Sequence, residues 1–126
     1  MKFYNEIQAI IISEFRETVK EIEVIRSRSS FGSSKIRCIL NDNSFIDIFF
    51  SDSGKYSFHW ERRFINGLIF REDNAPDHPE IQSFPKHFHE ESDDNIVSSS
   101  IPDNHIEATR RFFNFVKSKL SEIESK

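Results

Sequence analysis

The stretch Lys55-Tyr56-Ser57-Phe58-His59-Trp60-Glu61-Arg62-Arg63 alternates aromatic and polar side chains from Tyr56 to Glu61. Because a β-strand points successive side chains to opposite faces, this pattern predicts a strand with one aromatic and one polar face. Such alternation is typical of an antiparallel sheet that is covered on one side only. We therefore expect the aromatic face to be buried and the polar face to carry the chemistry.

Similar alternating stretches flank this strand and are separated by turn residues such as Asn41-Asp42-Asn43 and Asp52-Ser53-Gly54. Strands are predicted at residues 21–28, 34–40, 44–50, 55–63 and 68–73, and a short sixth strand is expected within residues 95–100. Short strands joined by turns favour an antiparallel meander.

The two ends of the chain have helical periodicity instead. Apolar residues recur at helical spacing within residues 4–19, and again after Pro102, where Asp103 is the expected N-cap. The predicted fold class is α+β: an antiparallel meander of five to six strands, with an N-terminal and a C-terminal helix packed on one face. Residues 1–126 are expected to form a single domain.

The turn at residues 65–67 decides which side chains of the fourth and fifth strands lie opposite each other. A three-residue loop with its glycine in the left-handed conformation opposes Glu61 to Arg71 and His59 to Asp73. A two-residue loop would oppose like charges instead, so we expect the three-residue loop. All four polar side chains then share the face away from the aromatic residues.

Composition limits the classes of function. The 126 residues carry 17 basic and 21 acidic side chains, a net charge of −4, so there is no overall basic field for non-specific nucleic-acid binding. Cys38 is the only cysteine and lies on an alternating strand, which predicts a buried filler in a reducing compartment. No apolar run approaches membrane-spanning length, and we expect a cytoplasmic protein without membrane contact.

Residues 71–89 hold three of the four prolines and three of the five histidines. Proline restricts the backbone, so an irregular connection that packs through its apolar residues is predicted here. His78, His87 and His89, with His59 opposite, are candidate ligands for zinc. The segment has no His-Glu-x-x-His or paired cysteine motif, so no cofactor is expected, and zinc stays an open alternative.

The same side chains also suit phosphodiester cleavage without a metal ion. Transfer to a ribose 2′-hydroxyl needs a base, an acid and a cation near the phosphorus. The candidate catalytic residues are His59, Arg71, Asp73, His78 and His87. The simpler alternative is that these residues form cross-strand pairs that stabilise a solvated sheet face.

Basic side chains occur in two places where an RNA backbone could bind. Arg26, Arg28 and Lys35 surround a stretch of serines and a glycine, and Arg62 and Arg63 end the predicted fourth strand. These five residues are the candidate nucleic-acid-binding set. An exposed hairpin tip is the alternative explanation for the first group.

One combination of motifs is more specific than any of these features. Tyr56-Ser57-Phe58-His59-Trp60, followed by Arg71-x-Asp73-Asn74-Ala75-Pro76-x-His78-Pro79-Glu80-Ile81-x-Ser83-Phe84-Pro85-x-His87, resembles the TumE family of toxins from toxin–antitoxin modules. The resemblance implies a toxin with a cognate antitoxin protein as partner, and a fold of helix, antiparallel sheet and terminal helix.

Together, these observations predict a toxin that acts on nucleic acid, with metal-independent RNase activity as the enzymatic hypothesis and RNA as a further partner. The alternative is a non-catalytic binding module that captures a partner protein or a small anion with the proline- and histidine-rich segment. A homodimer through a sheet edge or the C-terminal helix is also plausible.

Overall fold

Among the residues that the structure describes, seven strands form one antiparallel sheet in which each strand pairs with the next in the sequence. The computed structural model describes residues 2–26 and 34–125. The elements in chain order are α1 (Lys2–Glu14), β1 (Val19–Ile25), β2 (Lys35–Leu40), β3 (Phe45–Phe50), β4 (Tyr56–Arg62), α2 (Arg63–Asn66), β5 (Leu68–Asp73), β6 (His87–Glu91), β7 (Ile96–Ser98) and α3 (His105–Glu124).

The predicted α+β meander with a helix at each end is confirmed, but the expected number of strands was too small. The additional strand is β6, which lies at the end of the segment that was expected to be irregular. It pairs with β5 from Ile69 opposite Glu91 to Asp73 opposite His87. This pairing carries two of the histidines onto the sheet.

Both terminal helices pack on the aromatic face of the sheet. Phe58 and Trp60 of β4 are fully buried there, and Phe58 stacks on Phe112 of α3 with ring centroids 5.2 Å apart. Ile7 and Ile11 of α1 complete the same core. Cys38 is also fully buried, which confirms the prediction that it fills the core. Burial raises the pKa of its thiol to about 12, so it is a poor nucleophile.

Both helices differ from their predicted ends. α1 stops at Glu14, because the chain turns there and Val19 begins β1. The N-cap of α3 is Asn104, whose side chain accepts the backbone N–H groups of Ile106 and Glu107. Asp103 was therefore the wrong N-cap. Its carboxylate instead binds the ammonium group of Lys86 at 2.6 Å.

The predicted register of β4 and β5 was wrong by two residues. His59 lies opposite Arg71, and Ser57 lies opposite Asp73. The cause is the connection, which is one turn of helix α2 followed by Gly67 in the left-handed conformation rather than a three-residue loop. Because a shift of two residues keeps each side chain on its face, the predicted polar face is nevertheless present.

Within the described residues, no helix combines the length and the apolar character that a membrane crossing requires.

Candidate active site

Asp73 lies at the centre of a polar cluster on the sheet face opposite the helices. Its side chain is only 5% exposed. Its Oδ1 accepts the backbone N–H of Ala75 at 2.9 Å, and its Oδ2 accepts the Nε–H of Arg71 at 2.8 Å. The bond to Ala75 closes an Asx turn, the local geometry that an Asp before Asn-Ala-Pro favours. Asp73 therefore ends β5 through its bond to Ala75 and also holds the Arg71 side chain in place.

β6 places two imidazoles beside this carboxylate. His87 is directly opposite Asp73, and its Nε2 lies 3.1 Å from Asp73 Oδ1. The Nε2 of His89 lies 3.8 Å from Asp73 Oδ2. His87 and His89 are two residues apart on one strand, so their side chains share a face. Their ring centroids are 4.9 Å apart.

His78 reaches the same place from the loop between β5 and β6. Its ring packs edge-on against His87, with centroids 4.8 Å apart, and lies 5.9 Å from His89. Its Nδ1 is 3.4 Å from the carboxylate of Glu80, and its side chain is 25% exposed. His78 is therefore the most accessible of the three clustered imidazoles. The loop thus adds a side chain that the strands alone could not supply.

Arg71 supplies the positive charge of the cluster. Its Nε–H donates to Asp73, and its side chain is 38% exposed. Within the described parts of the chain, no hydrogen bond occupies the two terminal amino groups of its guanidinium. A guanidinium with free terminal amino groups suits an anionic oxygen such as that of a phosphate.

His59 belongs to the polar face but makes its contact elsewhere. Its Nε2 lies 3.2 Å from Glu61 on the same strand, so it does not join the Asp73 cluster. Glu61 also accepts hydrogen bonds from Arg63. The Arg63 side chain lowers the pKa of Glu61 to about 2, and the backbone N–H of Arg63 and the His59 imidazole act in the same direction.

The predicted nucleic-acid-binding residues are dispersed. Arg26 is exposed just beyond β1, whereas Arg28 lies outside the described residues. Lys35 lies on the polar face and binds Asp47 at 2.9 Å. Arg63 is 56% exposed, and its guanidinium contacts Glu61.

Arg62 differs from the other candidates because it faces the helices. Its side chain is 3% exposed and binds Asp42 at 2.5 Å. Its guanidinium also lies over the ring of Trp60. It has no free surface to offer a phosphate, and we leave it out of the proposed RNA contacts. The alternation of β4 indicates this orientation, because Arg62 is an even number of residues from Phe58 and Trp60 and so shares their face.

The sequence did not predict several groups that contact the clustered histidines. The backbone carbonyls of Pro85 and Asp93 each lie 3.0 Å from the Nδ1 of His87 and His89, respectively. Carbonyl partners leave no signal in side-chain patterns. His89 itself was not among the candidate catalytic residues, although its alternation with His87 indicates a shared face.

Two surface grooves lie elsewhere, beside α1 and the end of α3. They are lined by residues such as Ile12, Lys20 and Lys117, and neither includes a residue of the Asp73 cluster. The cluster is thus identified by its side-chain chemistry.

Helices cover one face of the sheet, and the other face carries a buried carboxylate with two imidazoles and a guanidinium beside it. These features define a small α+β protein with a charged site on the face away from the helices. The family model described as Toxin TumE matches residues 8–120. The chain belongs to the TumE toxin family, as its motifs indicated. No curated protein and no solved structure matches the chain.

Proposed function

We propose that this protein is the toxin of a toxin–antitoxin module and that it cleaves RNA at the Asp73 cluster, without a metal ion. The toxin family supports the first part. The second part is supported by one observation: two imidazoles and one guanidinium face a single buried carboxylate, and a third imidazole packs against these two imidazoles. The predicted location in the cytoplasm follows from the proposed target.

The proposed reaction is a transfer to the ribose 2′-hydroxyl. A base removes the proton of that hydroxyl, and the 2′-oxygen attacks the phosphorus. The bond from phosphorus to the 5′-oxygen breaks, and an acid donates a proton to the leaving oxygen. The products are a 2′,3′-cyclic phosphate and a 5′-hydroxyl, so atoms and charges balance.

The burial of each side chain suggests its role. His78 and His89 are 25% and 13% exposed, and we assign the two proton transfers to them. Arg71 stabilises the charge that develops on the phosphoryl oxygens. His87 is 2% exposed and is held between Asp73 and the Pro85 carbonyl. We therefore assign His87 and Asp73 positioning roles, and His59 no direct one.

RNA would reach the cluster along the polar face of the sheet. Lys35 lies on this face and Arg63 at the end of β4, and both keep exposed side chains beside their carboxylate partners. Arg26 extends this set beyond β1. Because most of these cations are paired, we expect weak, salt-sensitive RNA binding.

A second candidate is the non-catalytic binding module. It is favoured by Phe84, which is 44% exposed in the loop between β5 and β6, where a partner protein could cover it. A Phe84→Ser variant that loses antitoxin binding, combined with wild-type protein that never cleaves RNA, would favour this candidate. The homodimer stays a prediction.

Expression in a host without the antitoxin tests the proposal. We expect growth arrest and loss of intact RNA with the wild-type chain. His78→Ala and His89→Gln should each reduce cleavage by roughly 10²–10⁴-fold, the usual contribution of a general acid or base. His105→Gln is the matched control. The Nε2 of His105 lies 3.0 Å from the carboxylate of Glu6, and neither residue belongs to the Asp73 cluster.

Circular dichroism must show that every variant folds. The proposal is contradicted if folded wild-type protein arrests growth while RNA stays intact. It is also contradicted if His78→Ala and His89→Gln cleave as well as His105→Gln.

A further inference from the structure

Three ring nitrogens, one each from His78, His87 and His89, lie within 4.8 Å of one another. His87 is buried, and the other two are partly buried. Three protonated imidazoles at this separation would repel one another. Among the contacts described, Asp73 and Glu80 are the two carboxylates that offer them negative charge. The convergence therefore indicates a place for a cation.

The hydrogen bonds of the two strand histidines fix which nitrogen is free. The Nδ1 of His87 faces the Pro85 carbonyl, and the Nδ1 of His89 faces the Asp93 carbonyl, each at 3.0 Å. A carbonyl oxygen only accepts, so both Nδ1 atoms must carry the hydrogen. In the neutral imidazole, the lone pair is then on Nε2 in both rings.

Both Nε2 atoms face the Asp73 carboxylate, at 3.1 and 3.8 Å. A lone pair that faces a carboxylate is repulsive unless a cation lies between them. That cation is either a second proton on the ring or a metal ion. An imidazole whose other nitrogen donates to a backbone carbonyl is the usual form of a metal-ligating histidine.

Asp73 is itself held in place by Arg71 and the Ala75 N–H, at 2.8 and 2.9 Å. It can therefore orient the site without moving. Glu80 has the corresponding position beside His78. The three imidazoles thus have carbonyl or carboxylate partners in the places that orient metal ligands.

We propose that His78, His87 and His89 bind a divalent transition-metal ion of the Zn²⁺ type. Imidazole ligands suit zinc, copper and nickel, whereas magnesium and calcium require oxygen. A tetrahedral ion with Zn–N bonds of about 2.0–2.1 Å needs nitrogens roughly 3.3 Å apart. The three nitrogens would move closer together on binding, since they lie within 4.8 Å of one another in the structure.

The bound ion regulates the reaction, and this part rests on the proposed function. A coordinated nitrogen has no lone pair with which to accept a proton and no proton to donate. His78 and His89 cannot transfer protons while they hold the ion. The metal ion therefore inhibits RNA cleavage rather than supporting it.

Binding is tested first, on the full chain and without RNA. Isothermal titration with Zn²⁺ and visible absorption with Co²⁺ measure affinity and tetrahedral coordination. We expect one ion per chain and a Zn²⁺-dependent rise in melting temperature. His78→Ala and His89→Gln should weaken binding by at least about tenfold, since even outer partners of metal ligands contribute that much. His105→Gln should bind as the wild type does.

No saturable Zn²⁺ binding, or equal binding by the folded His78→Ala variant, overturns the metal site and favours protonated imidazoles. Cleavage assays with added Zn²⁺ then separate the two proposals. If the chain binds Zn²⁺ but cleaves RNA under no condition, the proposed RNase activity is refuted and the proposed metal site stands. Cleavage without binding refutes the site and leaves the RNase. Binding that is required for cleavage overturns the inhibitory role.

Discussion

At the scale of single residues, Asp73 shows what the sequence could and could not predict. Strand parity was sufficient to place His59, Glu61, Arg71 and Asp73 on one face, and that placement is confirmed. The histidine partners of Asp73 were not predictable, because they depend on the pairing of β5 with β6. A carboxylate that closes a turn and also orients side chains serves both the fold and the proposed site.

Glu72 gives a prediction that concerns stability alone. It lies on the aromatic face and accepts the Ser99 hydroxyl at 2.8 Å. Burial raises the pKa of Glu72, and the Ser99 hydrogen bond and the Arg111 charge offset this only in part. Because the pKa is higher in the folded state than in the unfolded state, stability falls as pH rises through the pKa of the folded state.

Glu72→Gln removes this ionisation and keeps an oxygen that accepts the Ser99 hydrogen bond. We expect the free energy of unfolding to exceed that of the wild type at pH 7, with the difference shrinking towards pH 4. Urea unfolding at both pH values measures it. A variant that is less stable than the wild type at pH 7 would show that the Glu72 charge is stabilising.

At the scale of elements, β6 is the largest departure from expectation. Its sequence, His87-Phe88-His89-Glu90-Glu91, contains no β-branched residue and follows a proline-rich segment, so local preference does not indicate a strand. The strand forms because β5 offers it a free edge, with Arg71 opposite His89 and Glu72 opposite Phe88. Pairing between distant segments is the kind of information that a local pattern lacks.

The connection α2 and Gly67 gives a second stability prediction. Gly67 has φ +81°, and its backbone N–H donates to the Arg63 carbonyl at 3.1 Å. No heavy atom lies within 4 Å of a Cβ built at this position, so only backbone strain opposes a side chain. Gly67→Ala should destabilise the fold by about 1–2 kcal/mol.

Gly67→Asn is the matched control, because asparagine tolerates the left-handed conformation better than alanine does. It should be less destabilised than Gly67→Ala in the same thermal or urea unfolding experiment. Equal losses for both variants would mean that the cost comes from something other than the backbone conformation.

At the scale of the whole molecule, the meander separates stability from chemistry. The helix-covered face holds the buried aromatic core, and the opposite face holds the charged side chains of the Asp73 cluster. Composition and periodicity predicted this division. They could not predict how the loop between β5 and β6 brings His78 over His87, since that depends on the three-dimensional path of the segment.

The polar face also forms a continuous row across neighbouring strands. Asp47 lies opposite His59, His59 opposite Arg71, and Arg71 opposite His89. Asp47 is the acidic member of this row, and the other three side chains are basic. Arg71 lies inside this row, and its side chain is 38% exposed, so a phosphate can approach it.

The most direct test of the central claim is the fate of RNA whose 2′-hydroxyls are blocked. Purified protein in EDTA is incubated with an RNA and with the same sequence carrying 2′-O-methyl groups, and the product ends are identified. We expect cleavage of the unmodified RNA only, with 2′,3′-cyclic phosphate and 5′-hydroxyl ends that the His78→Ala variant does not produce. Equal cleavage of both substrates, or no cleavage of either by folded wild-type protein, would contradict the account.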